Sequence, residues 1–215
     1  DGAYSNCTIT VTDSAGNTPQ TISVNTFTID TVKPVLAQVI AVTTPTNDNT
    51  SSYTFSSTEA GTISYSICGG NLDNASVDNN TIIFDALADD TYSDCKISVT
   101  DNASNTSDNL SVSSFTIDTT APTASVTEAT ITSSENAVIQ STETGTAYLV
   151  NTSVTVSNLA SINGADDNMS NSVAIDVANT DTDLPATGLA DGTYKVYAVD
   201  ETNNLSNASG NSVTL

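Results

Sequence analysis

The chain alternates between apolar and polar positions. Residues 7–12 read Cys-Thr-Ile-Thr-Val-Thr, with Cys7, Ile9 and Val11 on one parity and Thr8, Thr10 and Thr12 on the other. A two-residue period sends the two sets to opposite faces, so this stretch predicts a half-buried β-strand. The same pattern returns after Cys95, where Lys96, Ser98 and Thr100 form the polar face. Further strands are predicted over 35–42, 53–57, 62–68, 81–84, 110–117, 137–140, 147–150, 173–177 and 194–199. Asn, Asp, Gly and Ser clusters separate them, and no helical period competes. Within 110–117, Leu110 and Val112 share one parity and Phe115 and Ile117 the other. That slip predicts a bulge or a change of sheet.

The strands recur as a set. "YSNCTITVTDSAGNT" at 4–18 returns as "YSDCKISVTDNASNT" at 92–106, and "SVNTFTIDT" at 23–31 as "SVSSFTIDT" at 111–119, all at an offset of 88. A third, weaker copy is "DGTYKVYAVDETNN" at 191–204, and "SSTEAGT" at 56–62 matches "QSTETGT" at 140–146. The repeats divide the chain into residues 1–32, the last two strands of one repeat; residues 33–120, a whole repeat; and residues 121–215, a whole repeat with an insertion around 151–185. Seven short strands in about 90 residues is the arithmetic of an immunoglobulin-like β-sandwich, so the fold class expected is all-β, with tandem Greek-key sandwiches. "LADDTY" and "LADGTY" set Tyr92 and Tyr194 just after a tight turn and before an alternating strand. That placement predicts tyrosine corners, whose hydroxyls bond back to the backbone. Two strands make a marginal structure alone, so the first hairpin needs cover from the rest of its own repeat or from another chain.

Three cysteines are present. In the expected topology Cys68 and Cys95 lie on neighbouring strands, so they form either a disulfide or two buried thiols. A disulfide would imply an oxidising compartment. Cys7 is left without a counterpart.

Composition adds one dominant fact. Three Lys or Arg stand against twenty-five Asp or Glu, for a net charge of −22, and there is no His. Such a surface repels nucleic acid and anionic lipid, and invites cations or basic partners. No apolar run is long enough to span a membrane, and no signal peptide is evident. The chain reads as an internal stretch of something longer. With no His, no nucleophile set beside a base and no phosphate-cradling loop, an enzyme is not expected.

Where the acids fall is the most informative feature. The strand polarity of such a sandwich brings the end of one repeat's last strand beside two loops of the next. Asp118, Glu143 and Asp200 thereby meet at one junction, joined by Asp89 and Asp90 from the preceding loop. Asp30, Glu59, Asp101 and Asp1 form the same set at the earlier junction, and Asn17, Asn105 and Asn204 offer side-chain oxygens. A single Asp after a strand is usually a turn former. Several crowded carboxylates repel unless a cation intervenes, and an oxygen-only set suits Ca²⁺ rather than zinc.

The segments at 1–17, 89–105 and 191–204, and those at 27–34 and 115–122, resemble the phrases "D-G-T-Y-x-V-x-V-T-D-x-A-G-N" and "F-T-I-D-T-T-A-P" of the bacterial immunoglobulin-like repeats of giant, type I-secreted surface adhesins. The resemblance covers essentially the whole chain. It implies an extracellular extender at the bacterial cell surface, with adjacent repeats of the same parent chain as partners and calcium at the junctions through Asp30 and Asp118. The chain departs from the family pattern at Ser104 and Asn203, which stand where the motif has Gly. Two other readings stay open. One is a filament in which copies exchange strands through the first hairpin. The other is a carbohydrate or protein ligand site on the last repeat, whose insertion holds "NGADDNMSN" at 163–171.

Overall fold

The computed structural model describes residues 1–215. It is nearly all β, as the alternation predicts, with a single five-residue helix at Leu159–Asn163. No helix is long and apolar enough to cross a membrane. The chain forms two compact units. One comprises Asp1–Val42, Thr50–Leu87 and Tyr92–Ser114; the other comprises Thr43–Asn49, Ala88–Thr91 and Phe115–Leu215. The first hairpin thus groups with the body of the middle repeat, and three short pieces of that repeat group with the third.

In the first unit, Ser52–Ser57 sits between Leu36–Ile40 and Asp78–Ile83 in an antiparallel three-stranded sheet. A second sheet runs in the order Leu110–Ser111, Lys96–Asp101, Gly61–Tyr65, Asn74–Ala75. Alternation decides what is buried. Ile97 and Val99 point inward with Tyr53, Phe55, Ile63 and Ile82, while Ser98 and Thr100 stay half-buried. Each such large apolar side chain contributes about 1.5–3 kcal/mol on leaving water. The Tyr53 and Phe84 rings stack with centroids 6.1 Å apart. Cys68 and Cys95 are disulfide-bonded, with Cα atoms 5.5 Å apart.

The first hairpin differs from the expectation. Gly2–Tyr4 pairs with Phe27–Ile29, and Thr8–Ile9 with Ile22–Ser23. Its apolar face was expected to be half-buried, yet Ile9 is 55 % exposed and Val11 66 %, against 1 % and 0 % for their counterparts Ile97 and Val99. The reason is architectural: no second layer of strands lies over this hairpin.

The parity slip in 110–117 resolves as predicted. The segment breaks into Leu110–Ser111, beside Lys96–Asp101, and Phe115–Ile117, beside Asp90–Tyr92 in a different sheet.

The second unit is a sandwich. A three-stranded sheet, Ala124–Val126, Asn136–Ser141, Thr182–Pro185, faces a five-stranded one ordered Ala129–Thr130, Val213–Thr214, Thr193–Val199, Gly145–Asn151, Ser170–Ile175. Both contribute to one core, with Val126, Ile139 and Leu184 from the first and Leu149, Ile175, Tyr194, Val196 and Val213 from the second. The Tyr194 hydroxyl donates to the carbonyl of Ala190 at 2.7 Å, so the tyrosine corner expected there is formed. Tyr92, at the corresponding place, is half-buried.

The residues that set the third repeat apart lie largely at 152–169, between Gly145–Asn151 and Ser170–Ile175. The helix sits there, against the expectation of strands only. It is held by a reciprocal cap: Asn158 Oδ1 accepts from Ser161 N at 2.9 Å, and Ser161 Oγ accepts from Asn158 N at 3.2 Å. Ile162 anchors it in the protein.

Candidate functional site

Three copies of one turn come first. Asp13 Oδ1 accepts from the N–H groups of Ala15 and Asn17, and its Oδ2 from Asn17 Nδ2. Asp101 repeats this with Ala103 and Asn105, and Asp200 with Thr202 and Asn204. The fourth residue of the turn has positive φ in all three: 86° at Gly16, 73° at Ser104 and 69° at Asn203. This is Asx-turn chemistry, and it fixes where each carboxylate points. The turn needs nothing further to form, because the Asp13 copy stands outside any acidic cluster.

The other two copies do not stand alone. Asp30, Glu59 and Asp101 bring carboxylate oxygens within 4.8 Å of one another, and so do Asp118, Glu143 and Asp200. The elements responsible are equivalent. Asp30 and Asp118 follow Phe27–Ile29 and Phe115–Ile117. Glu59 and Glu143 lie just past Ser52–Ser57 and Asn136–Ser141, where a buried serine hydroxyl, Ser57 or Ser141, accepts the glutamate's own N–H at 3.4 or 3.3 Å. Asp118 is further held by its N–H bond to the carbonyl of Thr46 at 2.9 Å.

The asparagines take a different part from that expected. Asn105 and Asn204 turn amide nitrogens, not oxygens, toward the acids. Asn105 Nδ2 donates to the Asp30 carbonyl at 3.1 Å, and Asn204 Nδ2 to the Asp118 carbonyl at 2.9 Å. The reason is local: each amide already donates to the Oδ2 of its turn aspartate. Asn17 bonds only within its own turn, at Asp13. Thr202, which the sequence reading passed over, adds an O–H bond to the Asp118 carbonyl at 3.2 Å. The signals for the missed serines were the "S-T-E" triplets repeated at 57–59 and 141–143.

Asp1, Asp89 and Asp90 lie outside the two clusters. Asp1 Oδ1 accepts from Thr31 N and Oγ1 at 3.0 and 2.8 Å, and Asp89 Oδ1 from Thr119 N and Oγ1 at 2.9 and 2.7 Å. These acids clamp the residue after Asp30 or Asp118 instead of joining it. Asp90 accepts from the N–H of Thr91.

The electrostatics of the clusters are uncompensated. Burial pushes the Glu59 carboxyl above its ordinary value, and the charges of Asp30 and Asp101 push it further. Glu143 rises for the same reasons: burial first, then Asp118, Asp200 and Asp89. Asp101 goes the other way. Burial raises it, but the Asn105 side-chain bond and the backbone N–H groups of Asn105, Ala103 and Ser104 outweigh that and hold it low. Neither lysine with a defined partner relieves these sites. Lys33 pairs with Asp108 at 2.7 Å, and Lys195 donates to the carbonyls of Ser209 and Gly210. Each cluster therefore brings three carboxylates together without an ion pair to any of them. Such an all-oxygen set suits a hard cation. The first cluster lies in an open hollow of about 510 Å³ that also includes Val77 and Ala103.

A separate hollow of about 380 Å³ lies at the insertion, lined by Tyr148, Ile162, Asn163, Asp167 and Asn171 among others. Asn171 is not free within it, because its amide donates to the carbonyls of Pro185 and Thr187 at 2.9 and 3.0 Å.

Neither protein-family models nor curated protein sequences give a match to this chain.

Proposed function

We infer that this chain is a segment of an extracellular extender, built from immunoglobulin-like repeats of the kind found in bacterial surface adhesins and stiffened by calcium where repeats meet. The observation that carries the reading is the composition of each cluster. One carboxylate comes from the last strand-end of one repeat and two from loops of the next, and the same composition occurs twice. Turn chemistry accounts for Asp101 and Asp200. It does not account for a glutamate and a second aspartate brought against them with no cation nearby.

A divalent ion would reverse the repulsion that raises Glu59 and Glu143. It would also tie the end of a repeat to the loops after it, which restricts bending if the ion binds the tied state alone. Extracellular calcium modules bind with Kd of about 10⁻⁴–10⁻³ M, which sets the range to search. Calorimetric titration of the chelator-treated chain is expected to show two calcium sites. Glu59→Gln should remove one and Glu143→Gln the other. Amide exchange at Val32 and Thr120, on the segments just past the strand-end acids, should slow when calcium is added. No heat and no protection at millimolar calcium would overturn the reading.

A further inference from the structure

Three positions on one sheet face change together with the insertion. Gly61 of the middle repeat corresponds to Gly145 of the third, and Asp101 to Asp200, so Ser64, Ser66 and Ser98 correspond to Tyr148, Val150 and Tyr197. Ser64 pairs with Ser98, and Tyr148 with Tyr197, at the same point of the same two strands. Ala147, Leu149, Val196 and Ala198 belong to the sandwich core, so the two tyrosines lie on the other face of the sheet.

That face is the one the insertion shields. Val150 is 1 % exposed although it points away from the core, and Ile162 of the inserted helix is buried to the same degree. Packing the insertion accounts for those two side chains. It does not account for the tyrosines. Both stay half-buried, and neither hydroxyl has a hydrogen-bond partner in the chain. Each lines its own hollow with a different part of the helix. Tyr148 lines the one of about 380 Å³ with Ile162 and Asn163, and Tyr197 one of about 440 Å³ with Leu159.

The hollow beside Tyr148 holds unspent polar groups. Asn163, Asp167, Ser170 and Ser172 line it, and none of their side chains makes a hydrogen bond within the chain. With Tyr148 they offer three hydroxyls, an amide and a carboxylate. Its volume falls within the range of small-ligand sites. No lysine lines it, and the chain's net charge of −22 disfavours an anionic ligand. Ile162 is buried, so the tyrosine ring is the main apolar surface left open there. A matching ligand is neutral, carries hydroxyls that both donate and accept, and can lay a C–H face on the electron-rich face of a ring.

We propose that this hollow binds a neutral pyranose. The sugar stacks on Tyr148, its hydroxyls donate to the Asp167 carboxylate, and Asn163, Ser170 and Ser172 supply the remaining bonds. The middle repeat, with Ser64 and Ser98 and no insertion, has no such site. The inference rests on the third repeat alone and is independent of calcium.

The test is a titration of the full chain, in chelator, followed through its backbone amide resonances. The probes are the methyl glycosides of glucose, galactose, mannose and N-acetylglucosamine, with methyl glucuronide as the charged control. At least one neutral glycoside is expected to give saturable shifts at Tyr148, Asn163, Asp167 and Ser172, with a Kd of about millimolar order for a single ring in an open hollow. Ser64 and Ser98 should not shift. The glucuronide should bind at least about tenfold more weakly than the best neutral glycoside, because its charge meets Asp167 and the field of the chain. Tyr148→Ser, which restores the middle repeat's residue, should remove the saturable shifts. Tyr148→Phe keeps the ring and should lose no more than about tenfold. Asp167 is exposed, so Asp167→Asn should leave the melting temperature unchanged while weakening binding by at least about tenfold. That variant keeps the test decisive even if Tyr148→Ser fails to fold. Absence of saturable shifts with every neutral glycoside would overturn the proposal. So would binding that survives Asp167→Asn undiminished, or a glucuronide that binds as tightly as the neutral sugars.

Discussion

Glu59 and Glu143 are the residues at which the two clusters can be weighed against ordinary surface acids. Their carboxyls are raised by burial and by neighbouring aspartates, and they take no hydrogen bond from the chain to offset it. A carboxyl whose folded pKa lies above its unfolded one favours the fold when protonated. That contribution is complete below pH 4.5, the ordinary value, and is lost as pH rises through the raised folded pKa. Asp101 has the opposite sign: its stabilisation is present above 3.8 and is lost as pH falls through its lowered pKa. Metal-free protein should therefore lose stability as pH rises above 4.5 through the glutamates, and as pH falls below 3.8 through Asp101. Glu143→Gln keeps the shape and removes the charge. It is expected to raise the melting temperature at neutral pH in chelator, to flatten the profile above pH 4.5, and to give up calcium stabilisation. A lower melting temperature in chelator would mean that Glu143 supports the fold rather than straining it. Ser104 gives a second single-residue test. It holds φ +73° where the Asp13 turn has Gly16 at +86°. An L-residue in the left-handed region costs about 1–2 kcal/mol, and glycine's extra chain entropy offsets roughly 0.5–1 kcal/mol. Ser104→Gly should thus stabilise by a few tenths to about 1 kcal/mol, read from the denaturant midpoint at constant slope. That Asp30 meets Glu59 and Asp101, and Asp118 meets Glu143 and Asp200, was legible in the sequence from their equivalent places in the repeat, but Asp1, Asp89 and Asp90 were expected in the same clusters and lie outside them. Which atoms face the cluster was not legible. The orientation of Asn105 and Asn204 depends on an amide shared between a turn aspartate and a backbone carbonyl, a contact that no spacing encodes.

At the scale of elements, the two-residue period was sufficient wherever a strand is half-buried. Lys96–Asp101, Asn136–Ser141 and Thr193–Val199 all lie where alternation put them. The parity slip between Val112 and Phe115 marked a real change of sheet, because only a break lets both residues reach a core. Several short elements escaped, among them Asp90–Tyr92 and Ala124–Val126, and two of them did so for opposite reasons. The helix at Leu159–Asn163 is too short for a 3.6-residue period to register, and its stability comes from the Asn158–Ser161 cap and buried Ile162. Thr182–Pro185 carries little alternation of its own and is a strand because Asn136–Ser141 pairs with it. The tyrosine corner was readable from "LADGTY", and it permits a measurement. Tyr194 is fully buried, and its hydroxyl donates to the Ala190 carbonyl at 2.7 Å. Tyr194→Phe leaves the ring packed and removes one donor from a buried carbonyl. The expected loss is about 0.5–1.5 kcal/mol in unfolding free energy with no change in calcium stoichiometry. A loss near zero would show that this connection is fixed by packing alone.

At the scale of the molecule, charge sets the terms on which any ion is held. Twenty-five acids against three Lys or Arg put every carboxylate in a negative field. That field disfavours the compact state and draws in cations. Salt screens both effects, because the Debye length falls from about 30 Å at 0.01 M to about 10 Å at 0.1 M. Two opposite trends are expected across that range. In chelator, the melting temperature should rise with sodium chloride as self-repulsion weakens. With calcium present, affinity should fall, because the field that gathers the ion is screened while its ligands are unchanged. Calcium at about 100 times its Kd stabilises by about 2.7 kcal/mol per site, and 1 kcal/mol moves the melting temperature by about 2–4 °C for a chain of this size. The gain from each site should thus be roughly 5–10 °C at low salt, and smaller at high salt for the same calcium. Calorimetric scans at the two ionic strengths, with and without calcium, separate the terms. If the chelator-treated chain melts at one temperature regardless of salt, the hydrogen-bonded turns at Asp13, Asp101 and Asp200 outweigh the long-range field. The calcium affinity should then be insensitive to salt as well.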